Sequence, residues 1–433
     1  MTTGPAGTAV PGSGVPAGSG VPALRWRDGL VPTLIGWVWA RSCVALGFGV
    51  AHLMVDVLDV PRGDQQIREG LFTWDGTYYR AIAQNWYHGI GDDAARFFPV
   101  YPGLAKALGP VFGGHTDWAL LIISNVTAFL GAWVLWRLVA EVFAGRPGGP
   151  GDGAVAGRGG SGGAPLEAGT NGWSRLRSLA SQGWTTQLGQ ETARNVADRS
   201  AWMVAIFPAA FVLTFAYSEG LALLLVVTTL LAVQRRAFAI AGLLALVAAA
   251  LRPVGGLLLV PIVIELVRCR PRPRACVWAV AVGGPVAGLL AALVWIERST
   301  GDFLLPVRLQ RELRGGLQDP LTRMLEPIGE LFKGNFRDVY NLGFMIVFVF
   351  LGYVAVRRRQ PLSWLVFAVV SSLFLLSSQV TDSLGRYGLL VVPFVVALAM
   401  WADVRWRQVL VGVGCSAGLI WLTSEALLGR MVP

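Results

Sequence analysis

The chain has 433 residues, 54% of them apolar and only 14% charged, against about 25% charged in a soluble domain, so too little polar surface exists to coat a set of soluble globules. The net charge of +10 is 36 Lys and Arg less 26 Asp and Glu, and all but Lys106 and Lys333 of the basic residues are arginine, a bias that reads as genome composition rather than a nucleic-acid surface. Scattered cysteines (Cys43, Cys269, Cys276, Cys415) and histidines (His52, His88, His115) argue against a disulfide framework, a CxxC metal site and a zinc cluster. What remains is an all-α integral membrane protein with no cofactor called for, and the sequence leaves its dependence on a metal open.

In chain order, residues 1–30 are a Gly-, Pro- and Ser-rich tail without a basic start, expected to be disordered. The first apolar run, at 31–57, is too long for a signal-peptide core and reads as an uncleaved anchor. Apolar runs predict about 11 spanning helices, near 31–57, 118–140, 201–217, 220–234, 237–251, 254–267, 275–296, 339–356, 362–379, 388–402 and 408–427. The organisation expected is a first set of transmembrane helices over 31–144 carrying an extracytoplasmic catalytic loop at 58–117, a Gly-rich cytoplasmic linker at 145–200, and the remaining helices over 201–433 with a second extracytoplasmic loop at 297–338.

The segments 237–251 and 254–267 flank Arg252-Pro253, and a single broken span there would reverse the orientation of everything after it. Charge decides between the two. With a cytoplasmic N-terminus and separate spans, Arg235/Arg236, the RCRPRPR run at 268–274, Arg357 to Arg359 and Arg405/Arg407 all fall on the inside, as the positive-inside rule requires. The expected location is the plasma membrane, multi-pass, among membrane lipids.

Within 58–117, Trp74, Tyr78, Ile82 and Trp86 recur every four residues, which predicts a helix with an aromatic stripe lying on the outer membrane surface. Leu309, Leu313, Leu321, Leu325, Ile328 and Phe332 make a second interfacial element of 303–336. RFFPVYP from Arg96 sets two prolines among aromatics, a stiff turn feeding a short helix.

Several ionisable residues sit oddly for such a chain: Arg41, Asp56, Asp75, Glu219, Arg252, Asp382 and Arg386. All but Arg41 fall near the outer face, and co-location of carboxylates and arginines at one depth points to a polar chamber. Asp75 is either a general base at the membrane surface or a first-turn carboxylate stabilising its helix. Glu219 is either the tip of a hairpin or a chamber carboxylate. Arg252 and Arg386 suit a phosphate diester through their planar forks, or serve as snorkelling anchors.

Five segments in this order resemble the PIG-V-type mannosyltransferases, which add the second mannose of the GPI anchor in eukaryotes and have bacterial relatives. They are WDGTYYRAIAQNWY (Trp74 to Tyr87), RFFPVYP (Arg96 to Pro102), FPAAFVLTFAYSEG (Phe207 to Gly220), ALRPVG (Ala250 to Gly255) and SLGRY (Ser383 to Tyr387). The chain is similar to a bacterial member of that family, and through it to the GT-C class of polytopic glycosyltransferases, which use a polyprenyl-phosphate sugar and carry an acidic residue in the first outside loop. The Gly-rich insert at 145–200 departs from the family pattern.

The resemblance implies an inverting transfer of mannose from a polyprenyl-phosphate-mannose donor to a lipid or cell-envelope glycan acceptor on the extracytoplasmic side. Asp75 would be the base, Arg252 and Arg386 would hold the donor phosphate, and Asp382 and Tyr387 would line the same substrate site. Trp74, Tyr78 and Tyr79 would stack on the sugar, Phe97, Phe98, Pro99 and Tyr101 would shape the lipid's access, and Glu219 would position a hydroxyl. The rival reading is a transporter or flippase of a lipid-linked sugar, using the same arginines and broken helices.

Overall fold

The computed structural model describes residues 24–58, 66–144, 185, 188–315, 339–377 and 383–431, with isolated positions between 319 and 329. The tail to residue 23, most of the Gly-rich segment, Asp382 and the apolar positions expected at Leu321, Leu325, Ile328 and Phe332 lie outside the described residues. Every described element is helical. The helices are α1 (Leu30–Asp56), α2 (Asp75–Asn85), α3 (Val100–Leu108), α4 (Thr116–Ala144) and α5 (Gln190–Ile206), then α6 (Glu219–Gln234), α7 (Phe238–Leu251), α8 (Leu259–Arg268), α9 (Ala275–Thr300) and α10 (Leu305–Arg314), and last α11 (Val339–Arg357), α12 (Leu362–Leu376), α13 (Leu384–Leu390), α14 (Val392–Trp401) and α15 (Arg405–Leu427).

Among the described residues, five helices are long and apolar enough to cross a membrane: α1, α4, α9, α11 and α15. The apolar helices α6, α7 and α12 are shorter, and α13 and α14 form a pair bent by 83°. Helix length therefore carries fewer spans than the count expected from apolar runs. The exterior is that of a membrane protein, because α1 turns Leu34, Ile35, Val38 and Leu53 outward, α11 turns out Ile346 and Val349, and α15 turns out Val409 and Val413. A belt of this size is what lipid covers.

Small residues set the tightest packing. A Cβ on Gly242 would stand 2.3 Å from the Val280 carbonyl oxygen, and one on Gly288 would stand 2.0 Å from that of Leu246. α7 and α9 thus meet backbone to backbone, as membrane helices with small faces do.

The span expected at 201–217 is a correction. α5 ends at Ile206 because Phe207 takes an extended conformation (φ −51°, ψ 142°) ahead of Pro208, and the stretch to Ser218 contains only a 3-10 turn, Ala210–Leu213. Non-helical backbone inside such a bundle needs partners for its carbonyls. Arg41 supplies them: it donates to Leu213 O (3.1 Å) and to Asn125 Oδ1 (2.8 and 3.1 Å), while Asn125 Nδ2 donates to Thr214 O (3.0 Å). The cation inside the first helix is a clip for this break.

Around Arg252-Pro253 the chain turns back instead of continuing. Arg236 Nη1, just ahead of α7, reaches Arg270 O, just past α8 (3.5 Å), so α7 and α8 form a hairpin rather than one broken span. Arg137 and Arg235 meet on Glu141, Arg358 and Arg407 meet on Asp403, and Arg199 Nε donates to Ala399 O. These basic pairs occupy helix termini at the end of the bundle opposite Asp75.

The loop ahead of α4 departs from its expectation. The stripe of α2 does not face outward: Ile82 is fully buried, in a satellite core with Phe98, Leu293 and Ile296, and the Trp86 ring lies 5.4 Å from that of Trp295. Its apolar period is satisfied by protein, chiefly by the last turns of α9. Trp74 lies outside the helix altogether, at φ 56°, ψ −119°.

Candidate functional site

Four chain segments meet at the end of the bundle away from the basic pairs, and each is locally obliged to place one charged group there. Asp75 opens α2, after a loop held by Gln66, whose Oε1 accepts from Thr73 Oγ1 and from the Trp74 amide (3.2 Å). The left-handed backbone of Trp74 costs about 1–3 kcal/mol for a side chain of this size. It persists because Trp74 Nε1 donates to Ala426 O (2.8 Å) and Trp74 O accepts from Thr77 Oγ1 (2.7 Å). The Ala216 amide donates to Leu71 O (2.9 Å) and Tyr217 Oη to Thr73 O (3.1 Å), so this loop is zipped to the break that precedes α6.

Glu219 opens α6 beside Gly220, where a Cβ would lie 2.2 Å from Ser124 O. Only glycine lets the first turn of α6 press on α4, and that contact sinks Glu219 into the bundle. Arg252 ends α7 because the residue before a proline leaves the helical region (φ −156°, ψ 141°). The chain then folds back so tightly that a Cβ on Gly255 would meet Ala248 O at 2.1 Å. Arg386 lies on α13, whose Gly385 and Gly388 pack against Phe344 and Phe348. With that face against α11, Arg386 points toward the carboxylates.

The resulting geometry is a chain of charges. Arg386 Nη1 donates to Asp75 Oδ2 at 2.5 Å, and Arg386 Nε lies 3.0 Å from Glu219 Oε1, off the line of a hydrogen bond. Arg252 Nη1 donates to the same Glu219 oxygen and reaches Ser218 Oγ at 3.5 Å. The Tyr387 ring lies between both guanidinium groups, 5.0 Å from that of Arg252 and 5.2 Å from that of Arg386, and Tyr217 lies 5.6 Å from the latter. Side-chain exposure falls from 26% at Asp75 through 11% at Arg252 and 6% at Arg386 to 1% at Glu219.

Two positive and two negative groups cancel, yet Glu219 Oε2 is buried without a partner among the described residues. Buried ion networks are expensive to desolvate and are weak stabilisers, so a half-satisfied one points to a role beyond stability. A ligand approaching past Asp75, the exposed member, would meet Arg386 first. An anion with several oxygens could draw on both guanidinium groups, and a hydroxyl beside Asp75 would face an acceptor for its proton.

Of the residues expected at the site, the structure brings Asp75, Glu219, Arg252, Arg386 and Tyr387 together. Tyr78 is partly buried and stacks on Phe97 (4.9 Å) under the Arg96 guanidinium, 5.5 Å away. Others are packing residues. Tyr101 is fully buried and donates to Leu120 O (2.9 Å), and Phe98 is buried in the satellite core. The Tyr79 ring is buried, with Phe97 and Tyr101 packed edge-to-face on it, so no sugar can stack there. Its hydroxyl shares a 2.8 Å hydrogen bond with Ser218, and burial, outweighing the pull of Arg252, lifts it well above the usual tyrosine range. Tyr79 is a neutral strut for Ser218. Pro99 is half-buried at the start of α3. Tyr217 and Ser218 join the cluster without having been singled out; their signal is adjacency to Glu219 in the YSEG run. Among the described residues, no three His, Cys, Asp or Glu side chains gather where one metal ion could be held.

Fold and site together define a helical bundle of multi-pass membrane make-up with a buried four-charge centre at one end. No family model matches the chain. No curated protein matches it either. Among solved structures it is similar to the archaeal oligosaccharyltransferase AglB from Archaeoglobus fulgidus, in complex with an inhibitory peptide and a dolichol-phosphate, with a TM-score of 0.39 and 12% identity over 90% of this chain and 56% of that one. The chain thus spans little more than half of that protein, and likeness at this level carries no argument about activity. The resemblance to PIG-V-type enzymes rests on its motifs alone.

Proposed function

We propose that the protein is an inverting membrane glycosyltransferase that moves a hexose, mannose by its motifs, from a polyprenyl-phosphate donor to a lipid or cell-envelope glycan acceptor on the extracytoplasmic side. The observation that carries this reading is the buried Asp75–Arg386–Glu219–Arg252 chain, in which only the terminal carboxylate is appreciably exposed. The donor phosphate takes hydrogen bonds from Arg386 and Arg252, and its arrival loosens Asp75 from Arg386. The acceptor hydroxyl then passes its proton to Asp75 as its oxygen attacks the anomeric carbon, the bond from that carbon to the phosphate oxygen breaks, and the electron pair leaves with the polyprenyl phosphate. The extra negative charge on the leaving phosphate is met by guanidinium groups already in place at low dielectric. Glu219 holds both arginines in register, and inversion needs no covalent intermediate.

The test uses the full-length chain purified in detergent with polyprenyl-phosphate-mannose and envelope lipid extract. A product heavier by one hexose is expected, and Asp75→Asn should slow its formation about 10²–10⁴-fold while donor binding persists. Movement of the lipid-linked sugar across proteoliposomes without any new bond would replace this reading by that of a flippase. An equally active Asp75→Asn enzyme would remove Asp75 from the chemistry.

A further inference from the structure

The loop ahead of Asp75 contains a polar side chain to which hexosyl transfer has so far given no part. Helix α2 starts at Asp75 without the Ser, Thr, Asp or Asn that ordinarily caps such a start; its capping position is Trp74, whose side chain makes no capping bond. Trp74 O accepts from the Thr77 amide (3.1 Å) and from Thr77 Oγ1 (2.7 Å). The Trp74 amide is a separate matter. In a capping box it would be taken by the side chain of the third helical residue, but that residue is Thr77, already engaged with the Trp74 carbonyl. The amide is taken instead by Gln66, eight residues upstream at the start of a single helical turn, Gln66–Glu69.

Gln66 Oε1 accepts from two donors, the Thr73 hydroxyl and the Trp74 amide (3.2 Å). A backbone amide can only donate, so the atom facing it is the carbonyl oxygen of Gln66 and not its nitrogen. Thr73 is fully buried, which leaves its hydroxyl no water to turn to. Both bonds therefore converge on the peptide that leads into Trp74, the residue whose φ 56° and ψ −119° set the direction in which α2 leaves the loop. A backbone this rare for a non-glycine residue persists only where its neighbours over-determine it. The other ties of the loop grip Leu71 O, Thr73 O and the Trp74 indole, but not the Trp74 amide. Loss of Gln66 would leave the loop attached and free the turn into Asp75. We infer that Gln66 is a positioning residue, whose carbonyl oxygen locks the peptide ahead of Asp75 and so aims the Asp75 carboxylate at Arg386 and the acceptor hydroxyl. The inference rests on the transfer reading, in which Asp75 takes the acceptor proton. It concerns chemistry and not donor binding, because Arg252 and Arg386 are placed by other segments.

The experiment measures full-length variants in the hexose-transfer assay. Gln66→Met keeps the length of the side chain and loses its acceptor; kcat should fall about 10–100-fold, as for a reacting group misplaced by about 1 Å, with the donor KM unchanged. Gln66→Glu keeps an accepting oxygen and should stay within about threefold of the unmodified chain. Thr73→Val, close to isosteric at its buried position, removes one of the two donors and should lower kcat roughly three- to tenfold. Combined with Gln66→Met it should add nothing, because both changes break the same bond. Independently of turnover, hydrogen–deuterium exchange at the Trp74 amide should quicken about tenfold in Gln66→Met, and an unaltered rate refutes the latch. Equal losses in Gln66→Met and Gln66→Glu, or a loss carried by the donor KM alone, would reduce Gln66 to a loop-packing residue. If Gln66→Met does not fold, Thr73→Val decides, and an unchanged kcat there overturns the inference. Asp75→Asn is measured in parallel: full activity in it sinks the base assignment itself, whereas an inactive Asp75→Asn beside a fully active Gln66→Met overturns the positioning role alone.

Discussion

The two ends of the bundle are built from the same parts and use them differently. At the basic end Glu141 receives Arg137 Nε (2.7 Å) and Arg235 Nη2 (2.6 Å) on one oxygen and Arg235 Nε (3.1 Å) on the other, with the Trp26 ring beneath both guanidinium groups at 5.6 and 5.8 Å. At the Asp75 end Glu219 also holds two arginines beside an aromatic ring, but on one oxygen only, and its second oxygen has no partner among the described residues. The first arrangement is closed: both carboxylate oxygens accept from arginine, so it ties α4 to α6 and leaves no buried acceptor unmatched. The second is open, with a buried acceptor unmatched and an outer carboxylate able to exchange partners. Arginine, carboxylate and aromatic in contact do not make a site; unfulfilled bonding capacity beside an accessible member does.

Replacing one residue at a time breaks this contrast in order of size. The largest effect is expected of Arg386→Gln, which strips Asp75 and Glu219 together of their shared cation and removes a donor to the leaving phosphate. Transfer should fall by about 10²–10³-fold, read as kcat in the hexose-product assay, whereas Arg235→Gln at the other end should leave it within error.

Glu219→Gln comes next. Removing the buried counter-ion of two arginines should cost about 3–5 kcal/mol, measured as a lowered detergent melting midpoint and partly restored by an anion that binds both guanidinium groups. Glu141→Gln is the matched control, with a cost of about 1.5–3 kcal/mol because Arg235 reaches water, and no rescue by anion. Equal losses and equal rescue at both ends would erase the distinction between closed and open clusters.

The smallest effect concerns Asp403, in the short connection between α14 and α15. Burial raises its acidity constant's midpoint, but Arg358 (2.7 Å) and Arg407 (2.9 Å) pull harder, and the carboxyl titrates below the usual aspartate range. A carboxylate whose folded midpoint is depressed adds stability above its unfolded midpoint, near pH 4, and loses it as pH falls through the lower folded one. Between pH 7 and 5 Asp403→Asn and the unmodified chain should therefore keep a constant difference in melting midpoint, which shrinks below about pH 4.

Much of the fold is legible in the apolar runs, since α1, α4, α9, α11 and α15 lie where they predict helices. The departures have local causes that only partners reveal. Pro208 makes a helix end at Ile206 conceivable, but the break is habitable because Arg41, 172 residues away from Leu213, takes its carbonyl. The four-residue aromatic period of α2 is real, but the stripe expected on the membrane surface is covered by protein, chiefly α9. Charge and depth along the chain singled out seven ionisable residues, because charged groups in an apolar chain are few and each costs free energy to bury. Four of them, Asp75, Glu219, Arg252 and Arg386, meet in one cluster, whereas Arg41 clips the break before α6 and Asp56 lies on His52. The same reasoning over-reached for the aromatics, since a tyrosine that lines a pocket and a tyrosine that fills a core look alike in sequence. Tyr79 and Tyr101 fill the core.

By itself the sequence determined that the chain is helical, that its exterior is apolar, that its basic clusters can share one side, and which few charged residues are candidates for chemistry. All of these follow from composition and period, which are local properties. Only the tertiary structure decided that Arg386 reaches Asp75 across 311 residues of chain, and that Glu219 has one oxygen engaged and, among the described residues, one not. Ion pairing and hydrogen bonding act over about 3–4 Å, a distance that depends on where helices break and which glycine faces let them close, so no periodicity along the chain encodes it.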